Sequence, residues 1–586
     1  MRQLLMTSSV AALIAACSAS TPPLKMASIA DRSRHAVQLL DAEPRELPLR
    51  TLGRFIVDAR GKRLKLASVN WYGASDTSLV VGGLDKAPLG TIIEQIKKLG
   101  FNSVRLPFAN LMLHAREVDS AAVAANPEMA SLTPLMIYDR VVTALSEAGI
   151  YVIINNHTTH PMWCCNFDSD GLWYTHDYTE DAWLDDWAMM ARRYAGNSMV
   201  IAADLRNEVR IANFKGRLLP SVPNWAKGGN DWRVAAERAG ARVLAENPNL
   251  LVIVEGINFP REHLQGVQSD PIRLPLPDRL IYAAHNYGFI SPSTLGQKYG
   301  DMEEAQLHAQ VSREWGYVVS PARHFTAPVW VSEFGEAYNA SSQRWFTNFV
   351  NYLRDQDLDF AYWALNPGPK ASGEEELFGL LHESWQEPLA DWRTEQLRSI
   401  MTPRLGPGVE PGWDSVPQHH FTSLIFSDFD SVLSTDRSDW MPSAFKARCR
   451  EGERIVGLSS AQRSGSRANH GVLCSDYGPS RSATNVVVVP DTGAGRLACA
   501  GDHYLVGLAQ NRVNGRYSVA GALCARSSVS LGTTCREVNF EKKDDRLSLI
   551  PGDWDPFALK GQCDLSEYIA SVGFIKGIAT TLTCCQ

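Results

Sequence analysis

Two apolar runs in this chain end abruptly in acid. The stretch "VIAADLRNEVR" (residues 200–210) passes from small apolar residues into Asp204, Arg206, Asn207 and Glu208, and "PVWVSEFG" (328–335) carries Glu333 near its end. A strand covered on both faces reads as an unbroken apolar run, so charge bunched at its C-terminal end is placed for chemistry rather than for packing. Two carboxyl groups brought together can divide the parts of acid, base and nucleophile between them when their surroundings differ. The plainer alternative makes Glu208 the first residue of a solvated loop. Other apolar runs end in residues that could serve such a pair: Arg105, His157, Asn207, His285, Tyr287 and Trp363. Any one of these has a bland explanation, Arg105 as a loop cation or Trp363 as core, but the set does not.

Positioning these residues takes a repeating scaffold. From about residue 54 to 400, short apolar runs alternate with longer helical patterns, as strands followed by crossover helices do. The runs are "LASVNWYG", "SVRLPFA", "YVIINNH", "VIAADLRNE", "LLVIVEG", "LIYAAHNY", "PVWVSEFG" and "DFAYWALNP". Between them lie "LGTIIEQIKKLG", "TPLMIYDRVVTALSEAG" and "DAWLDDWAMMARRYAG", two of which stop at Gly100 and Gly149, as helix C-termini commonly do. Eight strands in this alternation predict an α/β fold, a (β/α)8 TIM barrel over residues 49–402, with the strand ends converging on one mouth. Before it, "RFIVDARGKRLKL" reads as a hairpin turning at Ala59-Arg60-Gly61 that plugs the barrel.

Taken in order, "VRLP", "NNH", "RNE", "HNY", "SEFG" and "YWAL" resemble glycoside hydrolase family 5, the cellulase family of retaining (β/α)8 enzymes. Val209 stands where that family often has Pro, immediately after the catalytic glutamate. The resemblance implies retaining hydrolysis of β-glycosidic bonds in a β-glucan or related polysaccharide, with Glu208 as acid/base and Glu333 as nucleophile. It implies that Arg105 and Tyr287 hold Glu333 ionised and that Asn207 meets the sugar 2-hydroxyl. His157 and His285 would hold other hydroxyls or the acid, and Trp363 would lie under the sugar ring. Glu208 needs a proton near neutral pH, which the negative Glu333 beside it favours. No cofactor and no metal is called for. Two other readings compete: an exo-acting β-glycosidase on oligosaccharides or glycoconjugates, its cleft blocked by loops such as 210–230 and 288–300, and a glycan-binding surface protein with an inactive barrel.

The run from "NNHTTH" to "WCC" puts His157, His160, Cys164 and Cys165 close together, but structural zinc sites show two separated ligand pairs. The adjacent cysteines read instead as a vicinal disulfide, or as two thiols bridging elsewhere. With Trp163, Trp173 and Tyr174 they either shape a sugar subsite or merely staple the loop. "GEEEL" (373–377) reads as a solvated loop at the rim.

Beyond the Pro- and Gly-rich connecting segment at 403–445, residues 446–586 change texture. "CREGERIVGLSS", "CAGDHYLVGLAQ" and "CDLSEYIASVGF" start at Cys449, Cys499 and Cys563, and the first two repeats close in "GVLC" and "GALC". Three copies predict a smaller all-β, disulfide-rich pseudo-threefold domain, a β-trefoil or a β-prism. The expected pairs are Cys449–Cys474, Cys499–Cys524, Cys563 with Cys584 or Cys585, and Cys535 with the other. No aromatic recurs at one position of all three repeats (Arg454, Tyr504 and Tyr568 correspond), which argues against three equal sugar sites.

Eleven cysteines, eight of them between Cys449 and Cys585, point to an oxidising compartment. Residues 1–17, ending Ile14-Ala15-Ala16-Cys17, read as a lipoprotein-type export signal, and 18–48 as a tether. The apolar segment is too short to span a bilayer, so the expected membrane contact is a lipid on Cys17; a plain secretory signal is the alternative. A net charge of −7 with no Lys/Arg run excludes nucleic acid as a partner. A monomer acting on a β-linked glycan at the cell envelope, or secreted, is expected.

Overall fold

The computed structural model describes residues 45–586 apart from short segments, the longest at 407–420, 426–439, 476–485 and 542–553. The expected export signal, Cys17, most of the tether and Gly373–Glu376 of the acidic loop lie outside the described residues.

Eight parallel strands close into a barrel in chain order. They are β1 (Ala67–Asn70), β2 (Ser103–Ala109), β3 (Tyr151–Thr158), β4 (Val200–Asp204), β5 (Leu251–Glu255), β6 (Leu280–His285), β7 (Val329–Phe334) and β8 (Asp359–Tyr362). Helices α1 (Leu89–Leu99), α2 (Pro134–Glu147), α3 (Glu180–Arg193), α4 (Trp232–Glu246), α5 (Glu304–Glu314) and α6 (Ala340–Asp355) flank it, with α7 (Trp392–Arg398) after β8. Between β5 and β6 no α-helix is formed among the described residues. Local chemistry marks the helix ends. Thr133 and Thr179 accept N–H groups of the first turns of α2 and α3, and Gly100 ends α1 in the left-handed conformation at φ 95°.

The barrel interior is apolar at its base. Ile153, Ile201, Leu251, Ile253, Ile281, Trp330 and Ala361 cluster there with Leu49, Ile56, Leu64 and Leu66, all buried. The last four come from the N-terminal segment, which forms a hairpin from Arg50–Leu52 and Phe55–Val57 and then turns again through Gly61, whose N–H bonds Asp58 O at 2.9 Å. That segment fills the place of the expected plug, but its strand hairpin turns at Gly53-Arg54, and the expected turn through Gly61 leads only to a single bridge, Val57 to Arg63.

The C-terminal region forms three four-stranded antiparallel sheets, each built on one hairpin: β11 (Arg454–Arg463) with β12 (Ser466–Ser475), β15 (His503–Val513) with β16 (Arg516–Arg526), and β19 (Tyr568–Ile575) with β20 (Ile578–Cys585). Beside the second strand of each hairpin lies β9 (Phe421–Ile425), β13 (Val486–Pro490) or β17 (Cys535–Asn539). The fourth strands are exchanged. β10 (Phe445–Arg448) precedes the first hairpin but pairs with the second, β14 (Arg496–Ala498) precedes the second but pairs with the third, and β18 (Leu559–Gln562) precedes the third but pairs with the first. Separate sheets in this cyclic order match the prism of the two expected alternatives. Equivalent positions of the repeats meet in one core: Ile455, Leu505 and Ile569; Leu458, Leu508 and Val572; Cys474, Cys524 and Cys584. The disulfides are Cys449–Cys474, Cys499–Cys524, Cys563–Cys584 and Cys535–Cys585. Arg454, Tyr504 and Tyr568 are buried.

This domain docks on the barrel through a buried ion pair. Arg273, ahead of β6, donates to Asp555 Oδ1 at 2.6 Å, and His470 Nδ1 lies 3.0 Å from Asp555 Oδ2. Burial opposes the Asp555 charge, but Arg273 and His470 outweigh it and hold that carboxyl well below the usual aspartate range.

Candidate active site

The residues singled out by type and spacing converge at the C-terminal end of the barrel. Arg105 organises them. It is the third residue of β2, which runs on to Ala109, so it sits inside the barrel rather than at the strand's end. It is fully buried and donates from Nε to Asp204 Oδ2 (2.7 Å), from Nη1 to Glu333 Oε1 (2.5 Å) and Asn70 Oδ1 (3.0 Å), and from Nη2 to Asn207 Oδ1 (2.7 Å) and Glu255 Oε1 (2.8 Å). Burial alone would lower the Arg105 pKa; Asp204, Glu333 and Glu255 reverse that and raise it.

Glu208 lies beyond β4 in the left-handed region, at φ 43°. A non-glycine residue there is strained and persists only where its surroundings hold it. Its N–H donates to Glu255 Oε2 at 2.8 Å, and the next residue, Val209, bridges to Ile257 after β5. Its Oε1 stands 2.8 Å from His285 Nδ1. Glu333, in β7, accepts from Tyr287 Oη at 2.9 Å on the oxygen not used by Arg105. One oxygen of Glu208, one of Glu333 and a ring nitrogen of His285 all lie within 4.8 Å of one another.

Charge balance follows from the count. Two cations, Arg105 and His285, face four carboxylates, Asp204, Glu208, Glu255 and Glu333, in a buried space. Burial lowers the His285 pKa, but Glu255, Glu333 and the bond to Glu208 override it and hold the imidazolium well into the charged form. Burial raises Glu333, with Glu208 and Glu255 adding to it against the pull of His285 and Arg105. The expected partners of Glu333 are thus in place, but they do not bring its carboxyl below the ordinary value. Asp204 is pushed up to about 7 by burial despite Arg105.

His157 is neutral: burial, and then the charges of Arg105 and His285, hold its pKa well down. Asn155 commits its Nδ2 to Asp204 Oδ2 (3.0 Å), so its Oδ1 faces His157 Nδ1 at 2.8 Å. That bond places the proton on Nδ1 and leaves Nε2 as an acceptor. The His157 ring stacks on Trp363 (centroids 5.6 Å apart), and Trp363 stacks on Tyr72 at 5.1 Å, with Trp163 edge-on to both.

Cys164 and Cys165 form a disulfide with each other. Both sulfurs lie 3.4 Å from Asn207 Nδ2. Trp173 does not join the site; it is buried with its ring 5.3 Å from that of Trp232. Tyr174 donates to Asn230 and His160 turns to Asp177.

Sequence reasoning gave Asp204 no role and passed over Glu255, Asn70, Asn155 and Tyr72. Glu255 closes "LLVIVEG" as Glu208 and Glu333 close their runs, so the signal that picked those two was present for it also.

Residues 57–369 match the family model described as Cellulase (glycosyl hydrolase family 5). An endoglucanase of Paenibacillus polymyxa is 32% identical over 353 residues, which span 57% of this chain and 82% of that protein. The catalytic domain of the major endoglucanase from Xanthomonas campestris pv. campestris superposes with a TM-score of 0.51 at 30% identity, over 60% of this chain and 99% of that one. A cellotetraose complex of an endocellulase from Pyrococcus horikoshii gives a TM-score of 0.51 at 25% identity, over 61% of this chain and all (100%) of that one. A barrel with buried carboxylates at its mouth, matched in sequence and in fold to these enzymes, makes the chain a member of glycosyl hydrolase family 5, a glycoside hydrolase of the cellulase type.

Proposed function

We propose that the barrel hydrolyses internal β-linkages of a β-glucan by double displacement, with retention. The observation that carries this is the approach of Glu208 and Glu333 within 4.8 Å. Retaining glycosidases hold their carboxyl groups about 5–5.5 Å apart, whereas inverting ones leave about 6.5–9.5 Å for a water.

Glu333 attacks the anomeric carbon. Arg105 and Tyr287 each hold one of its oxygens, aiming the carboxylate and compensating its charge. Glu208 protonates the leaving oxygen, and the charged His285 at 2.8 Å is its proton reservoir. Having passed its proton to the leaving group as Glu333 is esterified, Glu208 is the base that takes one from the incoming water, which cleaves the ester. Asn207 meets the sugar 2-hydroxyl, His157 Nε2 accepts from another hydroxyl, and Trp363, backed by Tyr72, lies under the ring.

The test uses azide with an activated aryl glycoside. In Glu208→Ala the glycosyl-enzyme accumulates, because water attack lacks its base, and azide restores turnover to a β-glycosyl azide. Glu333→Ala stays inactive, or yields only the α-azide. An α-product from Glu208→Ala would reverse the assignment. A product profile on soluble β-glucan separates internal cleavage, giving a spread of oligosaccharides from the start, from release of one short product off an end.

The framework disulfides support an exported protein, with "MRQLLMTSSVAALIAAC" as its signal and Cys17 as the lipidated residue. Metabolic labelling with a fatty acid, lost in Cys17→Ala, tests the anchor.

A further inference from the structure

The loop after β3 carries the Cys164–Cys165 disulfide into the mouth of the barrel. It is anchored on both sides. Met162 N–H bonds Ser75 O at 2.9 Å, and the buried Asp170 accepts the N–H groups of Thr159 and His160 while ion-pairing with Arg206 at 2.9 Å. Both sulfurs end 3.4 Å from Asn207 Nδ2, and each lies within 4.8 Å of a Glu208 carboxylate oxygen.

The other end of the Asn207 amide is committed. Its Oδ1 accepts from Arg105, which can only donate, and this orients the amide unambiguously. The Nδ2 group carries two N–H bonds. A disulfide has acceptor lone pairs and no S–H, so toward this amide its two sulfurs can only accept. Contacts to sulfur are individually weak, but two sulfurs converge on the same nitrogen here.

We propose that the Cys164–Cys165 disulfide is a positioning element, which turns the Asn207 amide toward the 2-hydroxyl of the sugar in the reacting subsite. This rests on the role proposed for Asn207 and is independent of which glutamate is the acid.

The test compares kcat/KM for an aryl β-cellobioside and for its analogue lacking the 2-hydroxyl on the reacting ring, in wild type, Asn207→Ala and Cys164→Ala/Cys165→Ala. In the alanine pair the wild-type advantage of the hydroxylated substrate shrinks about fivefold, the worth of one net hydrogen bond, while the rate on the deoxy analogue holds. An equal fall on both substrates overturns the proposal, since a loop staple would slow them alike. Should the alanine pair not fold, Cys165→Ser opens the same disulfide while keeping an acceptor atom at each position. The advantage then shrinks less but in the same direction, and an equal fall on both substrates again overturns the proposal. Asn207→Ala removes the advantage. If it does not, the role of Asn207 has failed and the proposal falls with it; if it does while the cysteine variants leave the advantage whole, the proposal alone has failed.

Discussion

Glu255 holds Glu208 by its backbone: Oε2 accepts the Glu208 N–H at 2.8 Å, while Oε1 of the same carboxylate accepts from Arg105 at 2.8 Å. One side chain thus links the left-handed turn beneath Glu208 to the cation that faces Glu333. Glu255→Gln puts an amide N–H against either the Glu208 N–H or the arginine. Loss of a partner from a buried ion pair costs about 3–5 kcal/mol, so thermal unfolding moves markedly down. Because the turn carries Glu208, turnover falls at least roughly tenfold, one hydrogen bond's worth of transition-state stabilisation or more. Full kcat in a destabilised variant would show that the turn holds without Glu255.

The acid limb of kcat/KM reports groups of the free enzyme. Burial first, and neighbouring carboxylates second, hold Glu333 above its ordinary value. The limb is therefore expected above the ordinary glutamate value of about 4.3. His285 pulls Glu333 the other way, so His285→Gln moves the limb further up. A limb that stays put or moves down in that variant assigns it to another group.

At the junction of barrel and prism, Asp555 is held low by Arg273. A carboxyl depressed in the folded state adds stability above its unfolded value, about 3.9, and that contribution is lost as pH falls below it. Arg273→Gln weakens this acid dependence, leaving His470 as the remaining partner, and loosens docking by about 3–5 kcal/mol. Calorimetry is then expected to resolve a separate prism transition, and a single unshifted transition would refute the coupling.

The framework disulfides lie outside the barrel. The Cys499–Cys524 bond closes a 25-residue separation, so removing it destabilises the prism by about 3.5 kcal/mol in the chain-entropy account. Turnover of a soluble aryl glycoside by Cys499→Ala/Cys524→Ala is expected to equal wild type at temperatures below the prism's melting.

The barrel was legible because its strands are covered on both faces: "LVIVE" and "VIAAD" carry no alternation to confuse with an exposed sheet. The residues facing the cleft were legible from their types at successive strand ends. The layer beneath was not. Asp204, Asn155 and Glu255 bond to other residues of the site, and which of them meet depends on strand register across the barrel, which a single run does not encode. Trp173 shares a loop with Trp163 but turns into the core. The choice between Cys584 and Cys585 needed the last strand's pleat. Alternate residues face opposite sides, so Cys584 enters the threefold core with Cys563 while Cys585 stands directly opposite Cys535.

The exchanged fourth strands have a consequence for inheritance. In an open solenoid each unit leans only on its neighbours, so units are gained or lost singly. Here the first hairpin's sheet is completed by Leu559–Gln562, which reaches back across the second repeat. Deleting any one repeat would leave one hairpin without its donated strand and one donated strand without its hairpin. The copy number is therefore locked at three, and the module can be duplicated, transferred or discarded only whole.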